Sequence, residues 1–139
     1  MKKLLVSFVA LMSLATVANA SEKMHKIAFQ VSTNDPLTQK IALNNAQNAQ
    51  KAYGKKNVKI EIVGYGPGLS LLMSKNEYAQ RVKKLIKNGI RFSACMNSIN
   101  AFKKNHGKYP NLTEGVVKVK SGVMRLNDLQ EQGYSYIRP

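Results

Sequence analysis

Short strand patterns alternate with helix patterns along almost the whole chain, and this alternation restricts the fold more than any other feature. Apolar residues recur at every second position in 26–31, in 57–63 and in 90–94, which is the period of a β-strand. A segment with apolar residues at helical spacing follows each of these runs. The order β-α-β-α-β-α-β-α-β is typical of a mainly parallel sheet with helices on both faces.

The number of strands narrows the architecture further. Five predicted strands in a chain of this length favour a flavodoxin-like three-layer α/β sandwich with strand order 2-1-3-4-5. In that order the second strand is at an edge of the sheet. Lys59 and Glu61 lie on one face of that strand, and two charges on one face suit an edge strand or one that is covered on one side only.

Residues 1–20 have the pattern of a cleavable signal peptide. Two lysines precede an uncharged apolar run at 4–17, and a small-x-small motif ends at Ala20. We therefore expect cleavage after Ala20, a single mature domain at 21–139 and a periplasmic location. The apolar run is short for a membrane span and no second run follows, so we expect no membrane attachment after cleavage. An uncleaved anchor is the alternative.

The chain is strongly basic, with 22 lysines and arginines against 7 acidic residues and a net charge of +15 at pH 7. Loss of Lys2 and Lys3 with the signal peptide lowers this charge to +13. Such an excess often indicates nucleic acid or a membrane surface as a partner. The basic residues are dispersed, however, and an exported protein meets little nucleic acid. We therefore expect solvated basic faces and no nucleic-acid binding; the alternative is a field that attracts anionic small molecules or acidic partners.

The only cysteine, Cys95, stands where the third strand pattern passes into a helix pattern. A helix start presents free N–H groups, which favour the thiolate over the thiol. Ligands of doubly wound sheets bind beyond the carboxyl ends of the strands, near the switch point between the first and third strands. We expect residues 32–35, 64–68 and 95–98 to meet there. Cys95 is therefore either a reactive thiol or a small buried apolar residue.

Other residues of these loops are candidates for ligand binding. Gly66, Pro67 and Gly68 permit a close approach of the backbone to a ligand, although a tight turn between layers is the simpler interpretation. Asn97 and Ser98 either contact a ligand or cap the helix that follows Cys95.

Several kinds of site are disfavoured by what the sequence lacks. The loop after the first strand has no glycine, which argues against a nucleotide or a flavin phosphate. One cysteine and two histidines give too few ligands for a metal cluster, and a dithiol mechanism needs a second cysteine. We expect no metal and no cofactor. A cysteine hydrolase would need His106 as its base, and its distance from Cys95 is left open by the sequence.

Several segments, in their order and spacing, resemble the DsrE/DsrF-like family, specifically its small exported members. They are K-I-A-F-Q-V-S at 26–32, V-G-Y-G-P-G-L at 63–69, F-S-A-C-M-N-S at 92–98 and the ending at 122–139, together with Asn44 and Asn45. The resemblance covers nearly all of the mature chain. It implies a flavodoxin-like α/β sandwich that assembles into homotrimers or homohexamers. It also implies sulfur relay through one cysteine on the loop after the third strand, where Cys95 lies.

The chain departs from the established sulfur-transfer members of that family in two ways. Those members are cytoplasmic and act in multi-subunit relays, and the residues around their cysteine are different. Our first hypothesis is a periplasmic DsrE-like protein in which Cys95 accepts or relays sulfane sulfur as a persulfide, with a donor or acceptor protein as partner, or undergoes thiol redox chemistry. The alternative is a non-catalytic oligomeric module that binds a small anionic ligand beside Gly66, Pro67 and Gly68.

Overall fold

The computed structural model describes residues 23–139, so the predicted signal peptide at 1–20 lies outside the described residues. Strands and α-helices alternate along the described part, and a 3-10 helix, Gly66–Leu72, follows the second strand. The strands are β1 His25–Val31, β2 Val58–Gly64, β3 Arg91–Cys95, β4 Val117–Val119 and β5 Ser135–Ile137. The helices are α1 Pro36–Tyr53, α2 Ala79–Lys87, α3 Met96–His106 and α4 Gly122–Glu131. Within residues 23–139, no helix combines the length and the apolar character that crossing a membrane requires.

All five strands pair in parallel, in the order β4-β3-β2-β1-β5. The flavodoxin-like three-layer α/β sandwich with a five-stranded parallel sheet is therefore confirmed. The predicted strand order 2-1-3-4-5 is wrong, because β2 lies at the centre of the sheet between β1 and β3. The chain advances by one strand at a time from β1 to β4 and then returns to add β5 beside β1.

Lys59 and Glu61 suggested that β2 is an edge strand, but the structure accommodates both charges in a central strand. Glu61 is only 2% exposed. Its carboxylate accepts hydrogen bonds from Arg125 of α4 at 2.8 and 2.6 Å, and from the Ser93 hydroxyl of β3 at 2.6 Å. Lys59 lies near the start of β2 and is exposed to solvent. Arg125 is 64 residues from Glu61 along the chain, so the alternation within the strand carries no sign of this pairing.

The helices cover the two faces of the sheet unequally. Helices α1, α2 and α3 pack on one face over the larger core, which contains Phe29, Ile62 and Phe92. Leu126 and Leu129 of α4 form a smaller core on the other face. Crossovers between parallel strands are right-handed, so three steps in one direction put three helices on one face, and the return from β4 to β5 puts α4 on the other. Helix α4 therefore crosses β3, β2 and β1 on its way to β5.

The start of α1 has an identifiable local cause. Pro36 occupies the first turn, where a missing N–H costs nothing. The Asp35 carboxylate accepts hydrogen bonds from the hydroxyl and the N–H of Thr38, both at 2.7 Å, and these bonds lower the pKa of Asp35. This N-cap fixes the conformation of the loop between β1 and α1. The loop lies at the carboxyl edge of the sheet.

Candidate functional site

A cavity of about 680 Å³ opens at the carboxyl edge of the sheet. Cys95, Gly66, Pro67, Asn97 and Ser98 line it, and the loop after β1 contributes Asn34. The three predicted loops therefore meet, because parallel strands bring their carboxyl ends to one edge. The predicted meeting point between adjacent first and third strands is wrong, since β2 separates them. The neighbouring strands whose following helices lie on opposite faces of the sheet are β3 and β4, and residues after both of them line the cavity.

Cys95 is the last residue of β3 and occupies the N-cap position of α3. It is 4% exposed and forms part of the cavity wall. Burial raises the pKa of this thiol most strongly, but the nearby N–H and hydroxyl of Ser98 and the N–H groups of Gly122 and Asn97 favour the thiolate. Together they hold the pKa of Cys95 below its ordinary value. Gly122 begins α4, so the starts of two helices face one sulfur atom.

Ser98 connects the sulfur to the turn after β2. The N–H of Gly66 donates to Oγ of Ser98 at 2.7 Å. Because that oxygen accepts from Gly66, the Ser98 hydroxyl hydrogen is available to a thiolate at Cys95. The φ of Gly66 is +54°, a left-handed conformation that glycine adopts without the strain of a side chain. Gly66, Ser98 and Cys95 thus form one connected group.

Gly68, unlike Gly66, does not line the cavity, and its role is in backbone packing. A methyl group at its Cα would lie 2.0 Å from the carbonyl oxygen of Val31 at the end of β1. The close backbone approach that the sequence predicts is therefore made to the chain itself. It lets the 3-10 helix pack against β1, with Pro67 left on the cavity wall.

His106 lines the same cavity at its far end. Its ring stacks on Phe102 with centroids 4.0 Å apart, and its Nδ1 lies 2.9 Å from the Phe102 carbonyl oxygen. Since a carbonyl only accepts, the hydrogen of a neutral ring is on Nδ1. Helix α3 is 11 residues long, which separates His106 from Cys95 by roughly 16 Å along the axis. His106 is therefore not positioned as a base for Cys95.

The wall of the cavity includes residues that sequence reasoning missed. Leu69, Met73, Phe102 and Val123 make much of the wall apolar, and no lysine, arginine, aspartate or glutamate of the described residues lines it. Gly122 was also missed, although it lies shortly after the end of β4, at the same edge of the sheet as Cys95 at the end of β3. That position was the available signal. Within 23–139 no group of three or more His, Cys, Asp or Glu side chains could hold a metal ion.

The ring of Tyr65 explains why α4 begins with glycine. A Cβ at Gly122 would lie 2.8 Å from the Tyr65 side chain, so only glycine lets α4 start this close to the turn after β2. Burial, and then the neighbouring Tyr136, raise the pKa of Tyr65. The Tyr65 side chain lines the cavity and packs against Gly122 at the start of α4.

Comparison with known proteins identifies a family model and a solved structure that are similar to this chain. The model of the DsrE/DsrF-like family matches residues 25–139. A solved structure, a protein of unknown function named MTH1491 from Methanobacterium thermoautotrophicum, is 31% identical. The similarity has a TM-score of 0.75 and covers 83% of this chain and 99% of that one. No curated protein matches the chain. Since the family model spans nearly all of the described residues, this chain belongs to the DsrE/DsrF-like family.

Proposed function

We propose that this protein carries sulfane sulfur on Cys95 as part of a sulfur relay. Membership of the DsrE/DsrF-like family suggests such a role. The observation that carries the proposal is the place of Cys95 in the cavity wall, at the N-cap of α3 and beside Gly122 at the start of α4. The polar groups of Ser98, Gly122 and Asn97 near the sulfur lower the pKa of the thiol. Sulfur transfer needs a thiolate that a donor can reach, and the cavity provides the access.

The transfer step needs no oxidant. The Cys95 thiolate attacks the outer sulfur of a donor persulfide, R–S–SH. A new S–S bond forms at Sγ, the S–S bond of the donor breaks, and the donor leaves as the thiolate R–S⁻. Cys95 becomes a persulfide, and an acceptor thiolate removes the outer sulfur by the same kind of step. The N–H groups that favour the Cys95 thiolate also stabilise the anionic form of its persulfide.

A second candidate is a non-catalytic oligomeric module that binds a small anionic ligand. The cavity beside Gly66 and Pro67 supports it, because about 680 Å³ is within the range of small-molecule sites. No lysine or arginine of the described residues lines this cavity, so an anion would depend on the N–H groups at the starts of α3 and α4. Those groups are the donors that face Cys95, and both candidates therefore use the same part of the site.

We also propose that the working form is residues 21–139 in the periplasm, after cleavage behind Ala20, assembled as a homotrimer or homohexamer. In this proposal it exchanges sulfur with a donor or acceptor protein, binds no nucleic acid and is not held at the membrane. Val123 and Met124, which are 65% and 53% exposed, support assembly because exposed apolar clusters mark contact surfaces. Light scattering after gel filtration checks the assembly, and the mass of the protein from a periplasmic extract checks the cleavage.

The first prediction tests the sulfur-carrier function. Incubation of the mature protein with a low-molecular-weight persulfide should add the mass of one sulfur atom, and Cys95→Ser should gain none. Reduction should remove the added mass. A circular dichroism spectrum and a thermal melt establish that Cys95→Ser is folded.

Two results decide between the candidates. A folded wild type that gains no sulfur, and whose alkylation follows the pH profile of a free thiol, is evidence against the carrier. A ligand that raises the melting temperature of wild type and Cys95→Ser equally favours the binding module.

A further inference from the structure

A second crevice, of about 420 Å³, lies at the amino ends of β2 and β3, away from Cys95. The segment between α1 and β2 forms one wall, and the first residues of β2 and β3 form the floor. Basic residues dominate its lining: Lys55, Lys56, Lys59, Arg91 and Arg125. Glu61 is the one acidic residue among the lining residues, and Tyr134 closes one side.

The crevice exists because α4 covers only part of its face of the sheet. Glu61 is paired in register with Arg91, and Lys59 precedes Glu61 by two positions, so these three side chains are on one face. The apolar contacts of α4 are with Ala28 and Val63, farther along the strands. The face around Lys59 therefore stays open, and Lys59 is exposed in a central strand.

The charges of the crevice are not balanced within the described part of the chain. The Glu61 carboxylate is already shared, with Arg125 at 2.6 Å and Arg91 at 3.4 Å. Within residues 23–139, none of the three lysines has an acidic partner within 4.0 Å. Lys55 donates instead to the side-chain oxygen of Asn88 at 2.8 Å. Five cations thus surround one satisfied carboxylate, and their mutual repulsion would be relieved by an anion.

We propose that this crevice binds a small soluble ligand with two or more phosphate-like oxyanion groups, such as an oligophosphate. Lysine and arginine are the side chains that hold phosphate oxygens. The volume is at the lower end of small-molecule sites, which suits a compact ligand rather than an extended polymer. A second copy of this chain is a poor complement, because the mature chain would carry +13. The proposal is independent of the function of Cys95.

Calorimetric titration of the mature protein with inorganic tripolyphosphate tests the site. We expect one saturable site per chain in the wild type. The double variant Lys56→Ala/Lys59→Ala should bind at least tenfold more weakly, because it removes two cations of the crevice. Lys40→Ala/Lys118→Ala is the matched control, since it removes the same charge from exposed positions elsewhere and should bind like the wild type. Equal melting temperatures establish that all three are folded.

Three results would overturn the proposal. The first is the absence of a saturable titration in the wild type. The second is equal weakening in both double variants, which would assign the binding to the dispersed basic surface. The third is binding to phosphatidylglycerol vesicles that only Lys56→Ala/Lys59→Ala loses, without any binding of tripolyphosphate, since this would assign the crevice to a membrane surface.

Discussion

Ser98 follows Cys95 by three residues, and this spacing of one helical turn lets it act on the sulfur. Its N–H and its hydroxyl both favour the thiolate, and Gly66 holds the hydroxyl oxygen. The reactive state of Cys95 thus depends on a side chain that does not itself react. A pKa below the ordinary value means that the thiolate is present at lower pH than in a free cysteine, so removal of a donor must move the titration to higher pH.

Ser98→Ala should therefore shift the pH profile of Cys95 alkylation by iodoacetamide to higher pH. A hydrogen bond contributes about 1 kcal/mol, so the rate at neutral pH should fall roughly fivefold. Ser70→Ala is the control, because Ser70 lines the same cavity but its hydroxyl accepts a hydrogen bond from Gln39. If the two variants gave the same profile, the Ser98 hydroxyl would not influence the sulfur.

The position of Cys95 could be predicted because it depends on a pattern in neighbouring residues. The groups around its sulfur could not, because they come from residues far apart in the sequence. The change of period at Cys95 marks the end of a parallel strand, and such ends share one edge of the sheet. The hydrogen bond between Gly66 and Ser98 joins residues 32 positions apart. Gly122 comes from an element that no local pattern connects with Cys95. These contacts follow from the strand order, which the sequence predicted incorrectly.

In the 3-10 helix Gly66–Leu72, Gly66 and Gly68 have different structural roles. Gly66 is on the cavity wall, has positive φ and has open space where a Cβ would be. Gly68 is pressed against the Val31 carbonyl, so its lack of a side chain sets the distance between this helix and β1. The first glycine shapes the site, and the second fixes the element that carries it.

Gly68→Ala should lower the free energy of unfolding by at least about 2 kcal/mol, because an added methyl group would overlap backbone atoms that have no room to move. Gly66→Ala should cost less, roughly 1 kcal/mol, since its strain is confined to a left-handed backbone. Urea denaturation with a common m-value measures both. Equal losses would mean that contact with Val31 does not limit residue 68.

The strand order is the main element-scale property that the sequence did not reveal. Lys59 and Glu61 have the alternation of an exposed edge, and local patterns cannot distinguish an exposed carboxylate from one that a distant arginine satisfies. The α/β sandwich architecture was predictable because it depends on the spacing of apolar residues within each strand and helix. Order depends on which strands pair, and β1, β2 and β3 all contribute apolar residues to the same core, so their apolar patterns do not identify their neighbours.

Within residues 23–139, α4 is the one helix on its face of the sheet, and its ion pair with the buried Glu61 carboxylate anchors it. Arg125 donates two hydrogen bonds to Glu61 at the centre of the sheet, and Glu61 raises the pKa of Arg125. One turn earlier, the same helix presents Gly122 to Cys95. The ion pair therefore sets the position of a helix that serves the site.

Arg125→Ala should lower the free energy of unfolding by roughly 3 kcal/mol, because it leaves the buried Glu61 carboxylate without its main partner. Lys83→Ala is the control, since it breaks the exposed pair between Lys83 and Glu114 and should leave stability nearly unchanged. Urea denaturation midpoints provide the comparison. Similar losses in both variants would contradict a special role for the buried pair.

The pairing of β5 with β1, and the course of α4 across the sheet before it, have a consequence for the order of folding. β5 pairs with β1, so the sheet is completed by contacts between the two ends of the described sequence, and such long-range contacts form late. The donor at Gly122 faces the sulfur only once α4 lies across the sheet. A partly folded chain in which α4 has not yet docked therefore lacks the Gly122 donor, and we expect its Cys95 thiol to be less acidic than the same thiol in the native protein.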